Sequence, residues 1–141
     1  MEGTQAPKWA KKGGRKTKPQ QTGLSYERKV AALLEGISPI IMHGPWLTFH
    51  DDSGPRTCQP DYLILRDDDA IIVEVKLTYT PDAERKLLDF YRPIVKLLLD
   101  VDKVRCIQIY RNGRKKWLGT LQELVSGDFS YRAFRWDDRI D

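Results

Sequence analysis

Residues 57–77, TCQPDYLILRDDDAIIVEVKL, are the stretch that decides how this chain folds. Two apolar runs flank three consecutive aspartates. The first run, from about Thr57 to Arg66, reads as a strand, Asp67-Asp68-Asp69 as a turn, and Ala70 to Leu77 as a second strand. In the second strand Ile71, Val73, Val75 and Leu77 share one face, and Ile72, Glu74 and Lys76 share the other. If Asp67 and Asp68 make a two-residue turn, residue 66 faces 69, 63 faces 72, and Asp61 faces Glu74. Lys76 then lies two residues beyond Glu74 on the same side of the ribbon.

Two carboxylates opposed across a sheet repel one another, so something must compensate them. A divalent cation does so well, because Mg²⁺ prefers hard oxygen ligands and keeps several waters. These parts match what phosphodiester hydrolysis needs. A metal held by two acids activates water and stabilises the phosphate charge, and a lysine ammonium positions the water and shares that charge. Taken alone, Glu-x-Lys on a strand is an ordinary surface ion pair of little worth. Its weight comes from Pro60-Asp61 being followed, after twelve intervening residues, by Glu74-Val75-Lys76, on hydrophobic strands joined by a tight turn.

That pattern, Pro60-Asp61 … Glu74-Val75-Lys76, resembles the PD-(D/E)XK nuclease superfamily, and QPDYLILRDDDAIIVEVKL is similar to its members with Glu-Val-Lys. The likeness spans about residues 24–110 and includes the order of elements: helix, three-stranded meander, helix, strand. It implies an α/β fold with a restriction-endonuclease-like core, a mixed central sheet flanked by helices in the order αβββαβ. By the same resemblance, Asp61, Glu74 and the Val75 carbonyl would bind Mg²⁺ or Mn²⁺, and Lys76 would orient or activate the water. The family often carries a glutamate on its first helix. Glu27 fits that place, sharing a stripe with Val30, Ala31 and Leu34. Polar residues on the helix after Glu-x-Lys make Lys86 and Tyr91 candidates, although the Gln-x-x-x-Tyr form is not kept, because Leu87 stands four before Tyr91. Tyr91 reads slightly better as a core aromatic. The resemblance implies a metal-dependent deoxyribonuclease leaving a 5′-phosphate and a 3′-hydroxyl. Junction resolvases, phage recombination nucleases and restriction-type enzymes are its small stand-alone members. A chain this short has little room for a target-reading domain, so structure-selective cutting, as a homodimer, is the expected style. The rivals are a catalytically inactive nuclease-fold module for DNA binding or assembly, and a nuclease directed at RNA.

Upstream, residues 1–22 hold six Lys or Arg against one Glu, a balance of +5, while the other residues balance to −1. Lys8, Lys11, Lys12, Arg15, Lys16 and Lys18 thus form a basic, flexible arm ahead of a single domain at 23–141. Such an arm holds a polyanion such as DNA by counterion release, or merely solubilises the chain. It lacks the apolar core of a secretory signal. Order is expected from Leu24, where Tyr26, Val30, Leu33, Leu34 and Ile37 recur at helical spacing until Gly36 and Pro39 end the helix. A first strand is expected over Pro45–His50 and a loop over Asp51–Pro55.

Downstream, Thr80-Pro81-Asp82 opens a helix with a capping hydroxyl and a proline in the first turn. The helix runs toward Leu99, and Pro93 should kink or split it near Arg92. Lys103–Arg111 is a strand, Asn112-Gly113 a tight-turn signal, 119–125 a short helix and 129–136 a last strand. A helix linking two strands as a crossover argues for a mixed α/β sheet. Arg111, Arg114, Lys115 and Lys116 beside Trp117 could grip phosphate at a hairpin tip. Cys58 and Cys106 read as buried thiols, which points to an intracellular setting, cytoplasm or nucleoid. His43 and His50 read as loop histidines, and no phosphate-binding P-loop occurs. No apolar run reaches the about 20 residues of a membrane helix.

Overall fold

The computed structural model describes residues 18–38, 40–113 and 126–138. In chain order the elements are helix α1 (Lys18–Glu35), strands β1 (Ile41–His43), β2 (Leu47–Asp51), β3 (Gly54–Cys58), β4 (Tyr62–Leu65) and β5 (Asp69–Thr78), then a crossover helix, then β6 (Lys103–Asn112) and β7 (Tyr131–Arg135). The crossover helix has three parts: α2 (Pro81–Arg85), a π-helical turn (Lys86–Tyr91) and α3 (Arg92–Leu99). The central sheet is mixed, in the order β1-β4-β5-β6-β7, and β2 and β3 form a separate two-stranded ribbon. The β1–β4 and β4–β5 pairs are antiparallel, and the β5–β6 and β6–β7 pairs are parallel.

The β4–β5 hairpin has the expected register. Leu63 faces Ile72, Leu65 faces Ala70, and the Arg66 N–H donates to the Asp69 carbonyl at 3.0 Å, with Asp67 and Asp68 at the tip. The alternation of β5 divides two cores. Ile71 and Val73 join Tyr62, Ile64 and the α1 stripe Tyr26, Val30 and Leu34 on one face. Ala70 and Ile72 join Leu63, Cys106 and the crossover helix on the other. Each fully buried Leu or Ile contributes about 1.5–3 kcal/mol of transfer free energy. Cys58 and Cys106 are buried free thiols, pushed up to about 11 and about 12 by desolvation. Among the described residues, no helix is long and apolar enough to cross a membrane.

Several elements depart from the expected layout. Helix α1 begins at Lys18, so residues 18–22, expected to belong to the arm, are helical. The strand expected over 45–50 is β2, yet it pairs only with β3, and the loop expected over 51–55 is that pair's turn. The Ser53 N–H donates to Asp51 Oδ1 at 2.8 Å and Gly54 sits at φ 102°, so local turn chemistry closes the ribbon on itself. The outer strand of the antiparallel meander is instead β1, where Ile41 faces Ile64. The single strand expected over 57–66 splits into β3 and β4, because Pro60 cannot donate to a ladder. Asn112-Gly113 does not join β6 to a hairpin partner among the described strands, since β7 runs parallel to β6. The helix expected over 119–125 and Pro39 lie outside the described residues.

The crossover helix is divided near Arg92, where Pro93 was expected to disturb it, and Pro93 stands in the first turn of α3. It is preceded by the π turn, where the Arg92 N–H donates to the Leu87 carbonyl, five residues back. Thr80 takes the N-cap position with extended backbone, but its hydroxyl makes no cap bond. Gln108 holds it instead: the Thr80 N–H donates to Gln108 Oε1 and Gln108 Nε2 donates to the Thr80 carbonyl, both at 3.0 Å. Because Leu63 is fully buried and central to the hairpin, Leu63→Ala is expected to cost about 2–5 kcal/mol in urea unfolding with an unchanged m-value. A loss under 1 kcal/mol, on the order of a surface substitution, would mean the hairpin is not the centre of the core.

Candidate active site

The interruption of the strand at Gln59-Pro60-Asp61 leaves backbone donors beyond the end of β4 without a ladder partner. Two carboxylates take them. Asp61 Oδ2 accepts the Val75 N–H at 2.7 Å, and Glu74 Oε1 accepts the Asp61 N–H at 3.2 Å. The Asp61 carbonyl accepts the Gly44 N–H at 2.7 Å, so the residue is held from both neighbouring strands. Gly44, at φ 53°, makes that approach at the end of β1. Each carboxylate thus commits one oxygen to backbone and keeps its second. The Val75 N–H points toward Asp61, and its carbonyl projects to the same edge of the strand.

Lys76 joins them from the same face of β5. Its Nζ lies 3.8 Å from Glu74 Oε2, with the Lys76 side chain 37% exposed and that of Glu74 3% exposed. Burial raises the Asp61 carboxyl, against the Val75 N–H and the charges of Lys76 and Lys86, which lower it. Burial and then the charge of Asp61 push Glu74 up to about 7. Glu27 approaches from α1. Burial raises its carboxyl and so does the charge of Asp61, while Tyr62 and Lys76 lower it. The Tyr62 hydroxyl also donates to the Glu27 main-chain carbonyl at 3.2 Å, tying α1 to the start of β4.

The structure therefore brings together Asp61, Glu74, Val75, Lys76 and Glu27. Lys86 lies near the same pair: it is exposed, with its Nζ 5.1 Å from the centre of the Tyr91 ring. Tyr91 is 3% exposed and its hydroxyl donates to the Gln59 carbonyl at 3.3 Å, so it is a core residue and not a DNA-facing one. Lys18 is exposed at the head of α1, nine residues before Glu27 and so about 14 Å along the axis. Lys8, Lys11, Lys12, Arg15, Lys16, Arg114, Lys115, Lys116 and Trp117 lie outside the described residues. Arg111 is no phosphate gripper: its guanidinium is buried in a fork with Asp138, at 2.6 and 2.9 Å, over the Tyr26 ring.

Among the described residues, no three His, Cys, Asp or Glu side chains converge into a metal cage. A cation at this place would take two carboxylates, the Val75 carbonyl and water, a set that suits Mg²⁺ or Mn²⁺ and not zinc. His43 ends β1 against Tyr62 and pairs with Glu35 at 3.1 Å, so it takes no part. One supporting residue was not singled out from the sequence. Gln108 stands opposite Glu74 in the β5–β6 register, is fully buried, and bonds Thr80 and the Tyr131 hydroxyl. Its signal was there, as a lone amide inside the apolar run VRCIQIY.

No protein-family model matches the chain, and no curated protein matches it in sequence.

The raised Glu74 carboxyl has a stability consequence. Between the ordinary value of 4.5 and about 7, the native state keeps a proton that the unfolded chain has released. Stability from this group is therefore present at low pH and lost as pH rises through that window. Glu74→Gln, measured metal-free in EDTA, is expected to match wild type near pH 4.5 and to exceed it above pH 7, by about 3 °C or more in Tm. A constant difference across the range would contradict the burial of a charge here.

Proposed function

We propose that this protein is a divalent-metal-dependent nuclease that hydrolyses DNA phosphodiester bonds on a restriction-endonuclease-like core of the PD-(D/E)XK kind. The observation that carries this reading is the interlocked Asp61–Glu74 pair, bonded at 2.7 and 3.2 Å through each other's strand, with the Lys76 ammonium at 3.8 Å. Capping two backbone donors needs no charge, since Asn, Ser or Gln would serve. Burying two mutually repelling carboxylates is costly unless a cation completes the site.

In this reading Asp61, Glu74 and the Val75 carbonyl are the metal ligands. The bound ion, Mg²⁺ or Mn²⁺, supplies Lewis acidity toward a phosphate oxygen and acidifies water. Lys76, with its side chain 37% exposed, donates to the scissile phosphate and orients the attacking water. Glu27 lies close enough to feel Asp61 and Lys76, and burial makes its carboxylate a stronger base; in its ionised form it would accept a proton from that water. The products are a 5′-phosphate and a 3′-hydroxyl. Lys8, Lys11, Lys12, Arg15, Lys16 and Lys18 hold the DNA backbone, with Arg114, Lys115 and Lys116 as a second group of phosphate-binding side chains. A homodimer would set two such sites against two strands of a branched or recombination substrate. The competing reading, an inactive nuclease-fold module for DNA binding or assembly, draws on the fact that both carboxylates already serve as backbone caps.

Purified protein incubated with supercoiled plasmid, branched DNA and RNA separates these readings. Mg²⁺-dependent nicking of DNA is expected, abolished by EDTA. Lys76→Ala should lower the cleavage rate by about 100-fold or more while leaving DNA affinity nearly unchanged. DNA binding without cleavage under any divalent ion would install the inactive module in its place, and preferential cutting of RNA would change the substrate.

The basic segment has its own readout. Replacing Lys8, Lys11, Lys12, Arg15 and Lys16 together by Gln should weaken duplex binding and flatten its salt dependence. The slope is expected to fall by about 0.9 for each phosphate that is no longer neutralised. An unaltered slope would make the segment a bystander.

A further inference from the structure

The crossover helix departs from α geometry over one stretch, Lys86–Tyr91, and the two ends of that stretch lie near enough to the carboxylate pair to interact with it. In an α-helix a side chain shares its face with residues three and four away. The π turn bonds residue i to i+5 and so aligns residues five apart. Lys86 and Tyr91 are five apart, and the ammonium lies over the ring at 5.1 Å. Leu87 and Tyr91 are both buried in the helix-side core, while Lys86 is exposed. The Tyr91 hydroxyl reaches the Gln59 carbonyl at 3.3 Å, immediately before Pro60-Asp61. Gln59 is tied onward through its Nε2, which donates to the Gly44 carbonyl at 2.8 Å. The segment that delivers Asp61 is therefore pinned from the helix on one side and from the end of β1 on the other.

Resting on the metal-site reading above, we propose that the π turn is a positioning device for the metal-binding pair. Through Tyr91 it fixes the strand interruption that presents Asp61, and through the Tyr91 ring it holds Lys86 as a second lysine at the mouth of the site. Tyr91 is a positioning residue that touches no substrate. Lys86 is a substrate-binding residue. The Tyr91 ring keeps its ammonium at the rim of the site, where it can meet a DNA phosphate.

The two side chains then have opposite effects on metal binding. Tyr91→Phe removes the bond to Gln59 but keeps the ring, so Asp61 is held less well and Mn²⁺ should bind about tenfold more weakly or worse. Lys86→Met removes a positive charge beside the carboxylates, so Mn²⁺ should bind more tightly while KM for DNA rises and kcat changes less. Arg85 is an exposed cation one residue earlier, so Arg85→Met should alter neither quantity.

The experiment titrates Mn²⁺ into full-length, metal-free protein without DNA, following free Mn²⁺ by its electron paramagnetic resonance signal. Steady-state cleavage kinetics follow on the same samples. Asp61→Asn, which should abolish binding, identifies the site. Opposite shifts for Tyr91→Phe and Lys86→Met, with Arg85→Met silent, support the proposal. A merely structural role would move both variants in the same direction along with thermal stability, and that result overturns it. So does wild-type behaviour of both variants. Wild-type protein that binds no Mn²⁺ through Asp61 would instead defeat the metal-site reading, and this inference with it.

Discussion

The site depends on two hydrogen bonds that cross. Pro60 ends the antiparallel ladder one residue too early, and Val75 and Asp61 are left with backbone donors that need acceptors inside the protein. The acceptors supplied are the Asp61 and Glu74 carboxylates, each bonded to the other's strand at 2.7 and 3.2 Å. The bonds fix both side-chain positions without help from a ligand, and they hold two like charges where water is nearly excluded. Everything else around the pair answers to that arrangement. Lys76 and Lys86 bring positive charge to its rim, Tyr91 and Gly44 clamp the interrupted strand, and α1 closes over it with Glu27.

Much of this was legible in the residues of one hairpin. The period of two in Ala70–Leu77 assigns faces, and the aspartates at 67 and 68 set a register that the observed ladder keeps residue for residue. That register alone opposes Asp61 to Glu74 and puts Lys76 beside them. Glu27 was legible for a different reason. A carboxylate on the buried stripe of a helix conflicts with its neighbours Val30 and Leu34, and such a conflict marks either a site or an error in the stripe.

What stayed hidden is nonlocal or breaks the regular periods. Nothing in LTFHDDSGPRTC says that its two halves pair with one another and not with the central sheet. The choice follows from the Asp51–Ser53 turn and the proline after Gln59, which together cost the chain one long strand and give it two short ones. The π turn is invisible to any pattern built on a period of 3.6 residues. For that reason the alignment of Lys86 with Tyr91, five residues apart, could not be read from the sequence. Arg111 looked like a phosphate-binding residue because its partner Asp138 is far away in sequence.

The distribution of charge around Asp61 and Glu74 differs from that of a buried structural ion pair. In a structural ion pair both partners go under together, as Asp69 and Arg105 do at the start of β5, bonded at 2.7 Å with side chains 11% and 3% exposed. Around Asp61 and Glu74 the two signs part company. The carboxylates are sunk in protein, while Lys76 keeps 37% of its surface in solvent and Lys86 is exposed. A fold that needed only neutrality would bury the lysines against the acids, as it buries Arg105 against Asp69. Buried acids with exposed ammonium groups above them are what the proposed reading needs: a site open on one side to a hard cation, with lysines at its rim to meet a phosphate.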